Sequence, residues 1–475
     1  MGLGLGTVVL SVFLLLPPIE PLTVVGMKTV GIMLATIIWW ATVEIGYTSL
    51  LCIALYALTG VMTPTEAFAA SWGSWLVLFV IACFGLSECL RLTGFSRRFA
   101  VWFITRPFTV GHPWILVAML LLSCTLLGCV LSGAATCIIF ITIAEPILES
   151  LGYKKGSATA AMLMIGIAWA STASMSMTPI AHGGNVLMME WIQNDFGYRI
   201  SFVGWMLLGM PIGLLVYLVL LGIFRYIVRP DVSRISSITA DYIREKVGAL
   251  GTMKLEEKLS LVIFSGVVVC WILPSVLGDK LPQLSTYFNN MGYAIPPLVG
   301  ASMLCVVRVK NKPLMSFPQW MGGIEWSSIS LLAAIMIMAD TIGNPDTGLT
   351  QFLTLVFQPI AKAVPFYVFL LISVLWVVLQ TNIMSNLVSM TLVYTIMSPI
   401  AGAMAGANMA AFGSTIAIAA NYAFSLPSAT TAVAIVIGSG WVPVSFLVRY
   451  GLISIIPIVL LLTFICYPFA TMIFH

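Results

Sequence analysis

Long apolar runs separated by short polar stretches fill almost the whole of this 475-residue chain. An α-helix needs roughly 17–25 consecutive apolar residues to cross a bilayer. On that basis the pattern predicts eleven membrane crossings, at 2–16, 27–43, 46–63, 76–91, 160–192, 201–224, 258–278, 292–307, 325–343, 407–437 and 443–473. Two further apolar stretches, 113–150 and 364–404, are interrupted near their middle, and we interpret each as a re-entrant helical hairpin. The pattern therefore predicts an all-α polytopic membrane protein.

The composition agrees with this class and narrows the chemistry. Hydrophobic residues make up 60% of the chain and charged residues 8%, with a mean hydropathy of +1.07, whereas a soluble domain carries about 25% charged residues. The nine cysteines contain no C-x-x-C pair, so the sequence indicates neither a disulfide framework nor a zinc site. We expect the lipid bilayer as the surroundings, and no nucleic-acid partner.

The positions of the Lys and Arg residues indicate the orientation of the chain. If the N-terminus is cytoplasmic and each hairpin returns to its own side, all of the 21 basic residues fall inside except Lys28, Arg199, Lys280 and Lys362. Positive residues concentrate in cytoplasmic loops. We therefore predict a multi-pass protein of the cell (inner) membrane with a cytoplasmic N-terminus and an external C-terminus.

The two halves of the chain repeat the same order of elements. The polar segment 229–258 divides them and is predicted to be a cytoplasmic linker. The segment from Val77 to Phe99 matches the segment from Ser330 to Phe352, and a hairpin, a helix rich in small residues and a proline break follow each. Because each unit has an odd number of crossings, the second must be inverted relative to the first. Inverted repeats that meet at the midplane are typical of alternating-access carriers.

One pair of interruptions recurs in both halves. The first copy contains Ser132 and, 47 residues later, Pro179; the second contains Ser385 and, 42 residues later, Pro427. In each copy, small and polar residues stand inside apolar surroundings. A repeated pair of interrupted hydrophobic segments points to the central site of a secondary transporter.

Broken helices determine what such a site can bind. Backbone N–H and C=O groups without partners are costly in lipid, so they must line a polar cavity. Helix N-termini present N–H groups to an anion, while carbonyl, hydroxyl and amide oxygens can coordinate Na⁺. Ser385 and Asn386 supply such groups, with Thr381 one turn earlier. No Lys or Arg lies near either break, so an anionic substrate would be held by dipoles, hydroxyls, and a bound cation or a protonated histidine.

Several motifs resemble those of the divalent anion:sodium symporter family, which belongs to a superfamily of elevator carriers. The early segment 39–44 is similar to that family's tryptophan and Thr-Glu signature. The family's hairpin tips contain Ser-Asn-Thr, where this chain has Ser132-Gly133-Ala134 and Ser385-Asn386-Leu387. The broken helices of the family contain Thr-Pro-Pro-Asn or a close variant, where this chain has the segments 182–185 and 430–433.

The resemblance implies an architecture and a mode of action. It implies two inverted repeats with about eleven transmembrane helices and two re-entrant hairpins, an elevator-type movement, and a homodimer. The implied division is a scaffold (1–112 and 259–363), a transport bundle (113–228 and 364–475, each part with one hairpin) and the cytoplasmic linker 229–258.

The resemblance also implies which residues bind ligands. The expected substrate-binding residues are Ser132, Gly133, Ala134, His182, Gly183, Asn185, Ser385, Asn386, Leu387, Thr430 and Thr431. One sodium site is expected from Thr381, Met384, Ser385, Asn386 and Ala429, and a weaker first site from Ser132 and Ala181. The first site has lost side-chain ligands, because Gly128 and Gly133 stand where a hydroxyl and an amide are expected.

His182 stands out because the proline alignment places it opposite Thr430, in the broken helix expected to face the weakened first site. A charged imidazole there would replace the charge of Na⁺ and make the carrier sodium-independent, proton-linked or an exchanger. The alternative is a neutral residue that stabilises the loop. Asn185 similarly either contacts substrate or caps a half-helix.

The sequence thus predicts a secondary active transporter of small organic anions, di- or tricarboxylates first, that is sodium-coupled or an exchanger, with Na⁺ as a possible cofactor. The alternatives are a carrier of a monocarboxylate, a sulfonate or an inorganic anion, and a cation/proton antiporter. No H-E-x-x-H or G-x-S-x-G motif points to an enzyme.

Overall fold

The computed structural model describes residues 2–109, 111–237, 251–278 and 280–474, so the middle of the predicted linker, 238–250, lies outside the described residues. The helices before the linker are α1 (Gly2–Leu15), α2 (Val24–Thr42), α3 (Ile45–Leu58), α4 (Pro64–Ala70), α5 (Trp75–Thr93), α6 (Phe95–Ile104), α7 (Pro113–Gly128), α8 (Gly133–Ser150), α9 (Ala158–Ser174), α10 (Gly183–Phe196) and α11 (Phe202–Gly222).

The helices after the linker are α12 (Leu255–Leu277), α13 (Pro282–Met291), α14 (Ile295–Val306), α15 (Phe317–Gly322), α16 (Trp326–Gly343), α17 (Leu349–Ala363), α18 (Phe366–Thr381), α19 (Asn386–Gly402), α20 (Met409–Ala420), α21 (Thr431–Gly438), α22 (Val444–Leu461) and α23 (Tyr467–Ile473). A small antiparallel ribbon pairs β1 (Arg308–Val309) with β2 (Lys312–Pro313). The prediction of an all-α polytopic class is confirmed.

Length and exposure identify the surfaces that suit a bilayer. Among the described residues, seven helices are long and apolar enough to cross a membrane, including α2, α5 and α16. On α12, Val262, Val269 and Val276 recur every seven residues and are exposed, which forms an apolar stripe along one side of the helix. Such a stripe suits contact with lipid tails. The predicted crossings 160–192 and 407–437 each consist of two α-helices with a break between them, and the first break contains a short 3-10 helix (Pro179–Ala181).

The same helix–helix contact occurs twice between the two halves, with the roles of the halves exchanged. In the alignment of the repeats, α5 corresponds to α16 and α3 corresponds to α14. Helix α3 packs against α16, and the equivalent contact is that of α5 with α14. The same exchange relates the broken helices, because α21 packs on α8 and α9, whereas α10 packs on α19 and α20. This exchange is what a two-fold relation between repeats requires.

The directions of α3 and α16 agree with an inversion between the repeats. The two helices run parallel, because Gly46 near the start of α3 lies beside Ser327, and the Thr341 hydroxyl donates to the Tyr56 hydroxyl (3.3 Å) near their ends. Gly323, just before α16, lies beside Glu88 near the end of α5, so α5 runs opposite to α16 and therefore opposite to α3. Since α16 corresponds to α5 and runs parallel to α3, the second repeat is inverted relative to the first.

Two buried helices form the centre of the molecule and end at the breaks. All residues of α9 after the first, and of α20 after the first, are buried. Each carries many Ala and Gly residues, which let neighbouring backbones approach closely. The first hairpin, α7 and α8, packs on α9, and the second hairpin, α18 and α19, packs on α20. Each hairpin tip is thus placed next to the C-terminal end of its own central helix.

Candidate functional site

A cavity of about 340 Å³ lies between the two hairpin tips, the two helix breaks and three helices of the predicted scaffold. We call Ser132-Gly133-Ala134 the first tip and Ser385-Asn386-Leu387 the second tip, and we call 182–185 the first break and 430–433 the second break. On the tip and break side it is lined by Ser132, Gly133, Met175, Ile180, Ala181, His182, Gly183, Ser385, Asn386, Leu387, Ser428, Ala429, Thr430 and Thr431, with Val130 and Leu131. Its other wall comes from Ile45 at the start of α3, residues 80–87 of α5, and the start of α16.

Four helices of the predicted transport bundle begin at this cavity. Gly133, Gly183, Asn386 and Thr431 are the first residues of α8, α10, α19 and α21, and all four line it. The first turn of a helix has backbone N–H groups without partners and carries a partial positive charge. None of the described lining residues is Lys or Arg. Backbone dipoles are therefore the main source of positive potential in the cavity.

Each hairpin tip makes two kinds of contact, one with the central helix of its own repeat and one with the other repeat. At each tip, the C-terminal end of the central helix of the same repeat makes a hydrogen bond: the Ala420 carbonyl accepts from the Thr381 hydroxyl (2.5 Å), and the Ser171 hydroxyl donates to the Gly133 carbonyl (3.2 Å). The N-terminus after each break instead faces the tip of the other repeat, because α21 packs on α8 and α10 packs on α19. Carbonyls suit a cation and helix N-termini suit an anion, so the contacts within the second repeat suit a cation and those between the repeats suit an anion.

The four helix N-termini at the cavity form two pairs, and the pairs differ in side-chain capping. Ser132 accepts a hydrogen bond from Ala135 N (3.3 Å) and Thr430 from Val433 N (3.2 Å), so both N-termini of the pair formed by the first tip and second break are capped. In the pair formed by the second tip and first break, neither Ser385 nor His182 caps its helix. The second pair therefore keeps more unsatisfied N–H groups and an unused hydroxyl at the cavity.

His182 belongs to this second pair, which corrects the expectation that its break faces the first sodium site. A Cβ built on Gly184 would lie 3.0 Å from His182 Nδ1 and 3.1 Å from Leu387 Cδ1, so the imidazole lies next to the second tip. The reason is the exchange of partners, which carries the N-terminus of α10 across to the other repeat. Nδ1 of His182 is buried and has no hydrogen-bond partner among the described residues.

Three oxygens cluster behind the second tip. The Thr381 hydroxyl lies 2.9 Å from Asn386 Oδ1 and 2.5 Å from the Ala420 carbonyl oxygen. A hydroxyl has one proton, so it can donate to only one of these two acceptors. A small cation between the three oxygens would satisfy all of them, and among the described residues no group of three or more His, Cys, Asp or Glu forms a metal site elsewhere. These residues fit a sodium ion.

The corresponding position behind the first tip is built from different residues. The serine alignment pairs Gly128 with Thr381 and Gly133 with Asn386, so the hairpin itself supplies no matching side-chain oxygen. The hydroxyl groups at this position come instead from Ser171 and Ser174 of α9. A Cβ on Gly128 would overlap Ser174 Oγ, and one on Gly133 would lie 2.8 Å from Met175 Cε. Ser174 and Met175 therefore pack directly against this tip, and sequence reasoning missed both residues.

Asn185 is placed inside the protein and not at the cavity, which corrects its expected contact with substrate. Its Nδ2 donates to the Met175 carbonyl (2.7 Å) and the Thr178 carbonyl (2.8 Å), and its Oδ1 accepts from Asn421 Nδ2 (3.1 Å). Asn382 has a similar role in the second repeat, where its Oδ1 accepts from Phe424 N (2.8 Å) and Ser425 N (2.6 Å). The two asparagines hold the non-helical backbone of the breaks in place.

The remaining predicted residues fall into two sets. Ala134 and Met384 also lie outside the cavity lining, and Thr381 lies behind Asn386 and is fully buried. Leu387, Thr430, Thr431, Ala181 and Ala429 all line the cavity. Sequence reasoning missed Asn382 and Asn421, although buried Asn residues next to both breaks are the pattern that could have revealed them.

An acidic residue on the scaffold side was also missed. Glu325 precedes α16, lines the cavity, and accepts a hydrogen bond from the Ser328 hydroxyl (3.3 Å). Glu44 holds the matching position before α3, where it accepts from Gly46 N (2.8 Å) and Tyr47 N (3.1 Å). The two scaffold helices that begin here thus carry carboxylates at their N-termini, whereas the four helices of the tips and breaks carry none. Acidic side chains therefore stand on the scaffold side of the cavity, and helix N-termini without acidic residues stand on the tip side.

Known proteins resemble this chain in sequence and in fold. A family model described as the sodium:sulfate symporter transmembrane region matches residues 1–474. The sodium-dependent dicarboxylate transporter SdcS of Staphylococcus saprophyticus is 26% identical, over 98% of this chain and 91% of its own. SdcS of Staphylococcus aureus strain USA300 is 27% identical, over 59% of this chain and 55% of its own.

A solved structure resembles the fold at much lower sequence identity. The YdaH transporter of Alcanivorax borkumensis superimposes with a TM-score of 0.54 at 12% identity, over 83% of this chain and 85% of its own. Together with the family match over nearly the whole length, this agrees with a multi-pass helical transporter and not with an enzyme. The chain belongs to the sodium:sulfate symporter family, which is the divalent anion:sodium symporter family that its hairpin and break motifs resemble.

Proposed function

We propose that this protein is a secondary active carrier that couples the movement of small organic anions, dicarboxylates above all, to sodium. The observation that carries the proposal is the convergence of four helix N-termini on one cavity that no described Lys or Arg lines. Such N-termini bind carboxylates through free N–H groups and the helix dipole. The full-length relative SdcS, a sodium-dependent dicarboxylate transporter, supports the same substrate class.

The first carboxylate of the substrate binds between the second tip and the first break. There it accepts from the Ser385 hydroxyl, from the N–H groups that begin α19 and α10, and from His182 as a neutral or charged donor. Leu387 forms the apolar side of this subsite, where the family tip has a threonine. The second carboxylate reaches toward Ser132, Thr430 and Thr431, where capping leaves fewer free N–H groups. A dicarboxylate with a short apolar spacer fits this arrangement.

Sodium binds behind the second tip and makes the anion site complete. Thr381, Asn386 and the Ala420 carbonyl supply three oxygens, and the tip serine and nearby carbonyls at Met384 and Ala429 supply the rest. The ion adds a positive charge within the helix pair whose N-termini are uncapped, and it holds Asn386 in position. Substrate and sodium therefore favour each other's binding, which is the thermodynamic basis of coupling.

Transport follows by alternating access, in which the tips and breaks move as one body past the scaffold. The cavity lies between those elements and helices α3, α5 and α16, which supports a division along this boundary. The elevator movement, the homodimer, the predicted domain limits, and the orientation with a cytoplasmic N-terminus and an external C-terminus belong to this proposal. Positive residues on the predicted inner side support the orientation.

Counterflow in proteoliposomes tests the proposal. The purified protein is reconstituted, loaded with unlabelled substrate, and assayed with mono-, di- and tricarboxylates, sulfonates and sulfate, with Na⁺ or choline, across mildly acidic to mildly basic pH. We expect dicarboxylate counterflow that Na⁺ stimulates. Counterflow limited to sulfonates, sulfate or monocarboxylates would replace the substrate class. Cation movement driven by a pH gradient, independent of any organic anion, would refute the proposal in favour of an antiporter.

A further inference from the structure

The scaffold helices show which end of the protein the cavity faces. Gly46 at the start of α3 lies beside Ser327 at the start of α16, and Glu88 near the end of α5 lies beside Gly323 just before α16. These helix ends therefore lie together, and residues near them form the scaffold wall of the cavity. The basic residues between α14 and α16 mark this end as cytoplasmic under the positive-inside rule.

At the opposite end of the scaffold, two hydrogen bonds cross to the predicted transport bundle. Trp75 Nε1, at the start of α5, donates to Glu190 Oε1 on α10 (3.2 Å). The Tyr293 hydroxyl, just before α14, donates to the carbonyl oxygen of Ile200, just before α11 (3.3 Å). The rings of Trp75 and Tyr293 lie beside each other with centroids 6.3 Å apart, so both bonds belong to one contact. Scaffold and bundle are thus joined at the predicted external end.

Aromatic packing extends this contact. Phe202 of the bundle stacks on Trp271 of α12 with ring centroids 4.9 Å apart, and both side chains are buried. Trp271 Nε1 donates to the Tyr293 carbonyl oxygen (3.0 Å), which links the stacked pair to the two hydrogen bonds. The bundle therefore touches the scaffold at the external end and leaves the cavity beside the cytoplasmic end. This is the arrangement of a carrier that is open to the cytoplasm, which we call inward-open.

The second repeat offers no equivalent of Glu190 for the opposite arrangement. Inverted repeats relate the two access states to each other with the roles of the repeats exchanged. The proline alignment places Gly438 opposite Glu190. Gly438 is the last residue of α21, whereas α10 continues to Phe196. The alignment therefore gives the cytoplasmic end no carboxyl group at this position, and the two ends of the bundle differ.

We propose that Trp75, Glu190 and Tyr293 form an external gate that holds this carrier in its inward-open arrangement. The inference rests on the alternating access and the orientation of the proposed function. The three residues are positioning residues for transport, because they join the bundle to the scaffold and do not line the cavity.

The bond from Trp75 matters because of how Glu190 is buried. Oε2 of Glu190 is buried and has no hydrogen-bond partner among the described residues. Loss of the Trp75 N–H would leave both carboxyl oxygens without a donor in the closed gate, whereas water would solvate them once the gate opens. A buried polar group without a partner is costly. Weakening the gate should therefore favour the arrangement that is open to the outside.

A cysteine introduced at position 428 reports which side the cavity faces. Ser428 is exposed and lines the cavity from the bundle. The reference protein carries Ser428→Cys, with alanine in place of Cys83, Cys270 and Cys305, the three native cysteines that are not fully buried. A membrane-impermeant methanethiosulfonate is added to inside-out or right-side-out membrane vesicles without Na⁺ or substrate. We expect faster modification from the cytoplasmic side.

Two variants weaken the gate while keeping an aromatic ring at each position. Trp75→Phe removes the indole N–H, and Tyr293→Phe removes the hydroxyl. Each should lower the ratio of cytoplasmic to external modification rates roughly two- to tenfold, which is the shift in equilibrium that one hydrogen bond gives. A merely structural role would lower the thermal stability in detergent and leave this ratio unchanged.

The matched controls lose the same kinds of bond inside the bundle. In Trp441→Phe the lost bond is from Nε1 to Glu145 Oε1 (2.9 Å), and in Tyr217→Phe it is from the hydroxyl to the Ala118 carbonyl oxygen (2.8 Å). Neither bond crosses to the scaffold. Both controls should therefore keep the modification ratio of the reference protein.

The outcomes separate the gate from the proposed function. Unchanged ratios in both gate variants, equal changes in the controls, or faster external modification of the reference protein would each overturn the gate. Because the assay needs neither sodium nor substrate, these results leave the coupled anion and ion to be judged by counterflow. Absence of sodium-stimulated dicarboxylate counterflow, together with the expected ratios, would refute the proposed coupling and support the gate.

Discussion

Replacing Thr381 by valine removes one oxygen from the cluster behind the second tip while keeping the shape of the side chain. The hydroxyl lies 2.9 Å from Asn386 Oδ1 and 2.5 Å from the Ala420 carbonyl oxygen, and the residue is fully buried. A polar contact to a charged group contributes about 1.5–3 kcal/mol. We therefore expect the sodium affinity to fall about ten- to a hundredfold, since about 1.4 kcal/mol corresponds to a factor of ten.

Thermal unfolding of the purified protein in detergent measures this effect without transport. At a sodium concentration 100 times the dissociation constant, binding stabilises the folded state by about 2.7 kcal/mol. A thirtyfold weaker site at the same concentration gives only about 0.9 kcal/mol, so about 1.8 kcal/mol of sodium-dependent stabilisation should disappear. Sodium titrations of uptake in proteoliposomes should show the same shift in the half-maximal concentration.

Thr415→Val is the matched control. Thr415 is also fully buried, and its hydroxyl donates to the Ala411 carbonyl oxygen (2.8 Å) on α20, away from the tip. Both variants lose a buried hydrogen bond and should be less stable without sodium, but only Thr381→Val should lose the response to sodium. A Thr381→Val protein whose sodium midpoint stays within about twofold of the wild type would refute the cation site behind the second tip.

Three further variants test other parts of the cavity. His182→Ala should lower dicarboxylate uptake at least about tenfold, because it removes a side-chain donor beside the second tip; uptake that is unchanged at every pH would contradict a role in substrate binding. Glu325→Gln removes a like charge from the cavity and should raise the apparent affinity for a dianion by about 1 kcal/mol, roughly fivefold, measured as the half-saturating dicarboxylate concentration; equal affinities would show that the substrate does not sense this carboxylate. Asn185→Ala leaves the carbonyls of Met175 and Thr178 without their donor and should cost about 2–3 kcal/mol of stability in thermal unfolding; normal stability with weakened substrate binding would instead favour a direct contact.

Several features of the fold could be predicted because they depend on local sequence. Apolar runs fixed the helical membrane class, and Ser132 and Ser385 marked the hairpin tips, since a polar residue within such a run has few other uses. The Thr-Gly pairs after α5 and before α17 recur for a similar reason. Gly94 and Gly348 have positive φ values of 90° and 68°, a conformation that glycine adopts without strain.

The site could be predicted only in part. Alignment of the repeats identified the residues at both tips and both breaks, and most of them line the cavity. It failed for His182, because sequence order places a break beside the tip of its own repeat, whereas α10 crosses to the other one. It also missed Glu325, which precedes a helix that looks like an ordinary crossing, and it did not separate Asn185, a buried structural residue, from residues that face the cavity.

The sequence by itself determined that this protein is a membrane carrier with two inverted halves and paired helix breaks, because burial in lipid demands long apolar helices and makes every polar interruption informative. The tertiary structure alone decided which groups meet at the cavity. Helices far apart in the chain bring the N-terminus of α10 to the second tip and the Met175 side chain to the first, and no local pattern encodes those contacts. The chemical difference between the two tips follows from that packing: the oxygens of Thr381, Asn386 and Ala420 cluster behind the second tip, whereas Ser171, Ser174 and Met175 pack against the first.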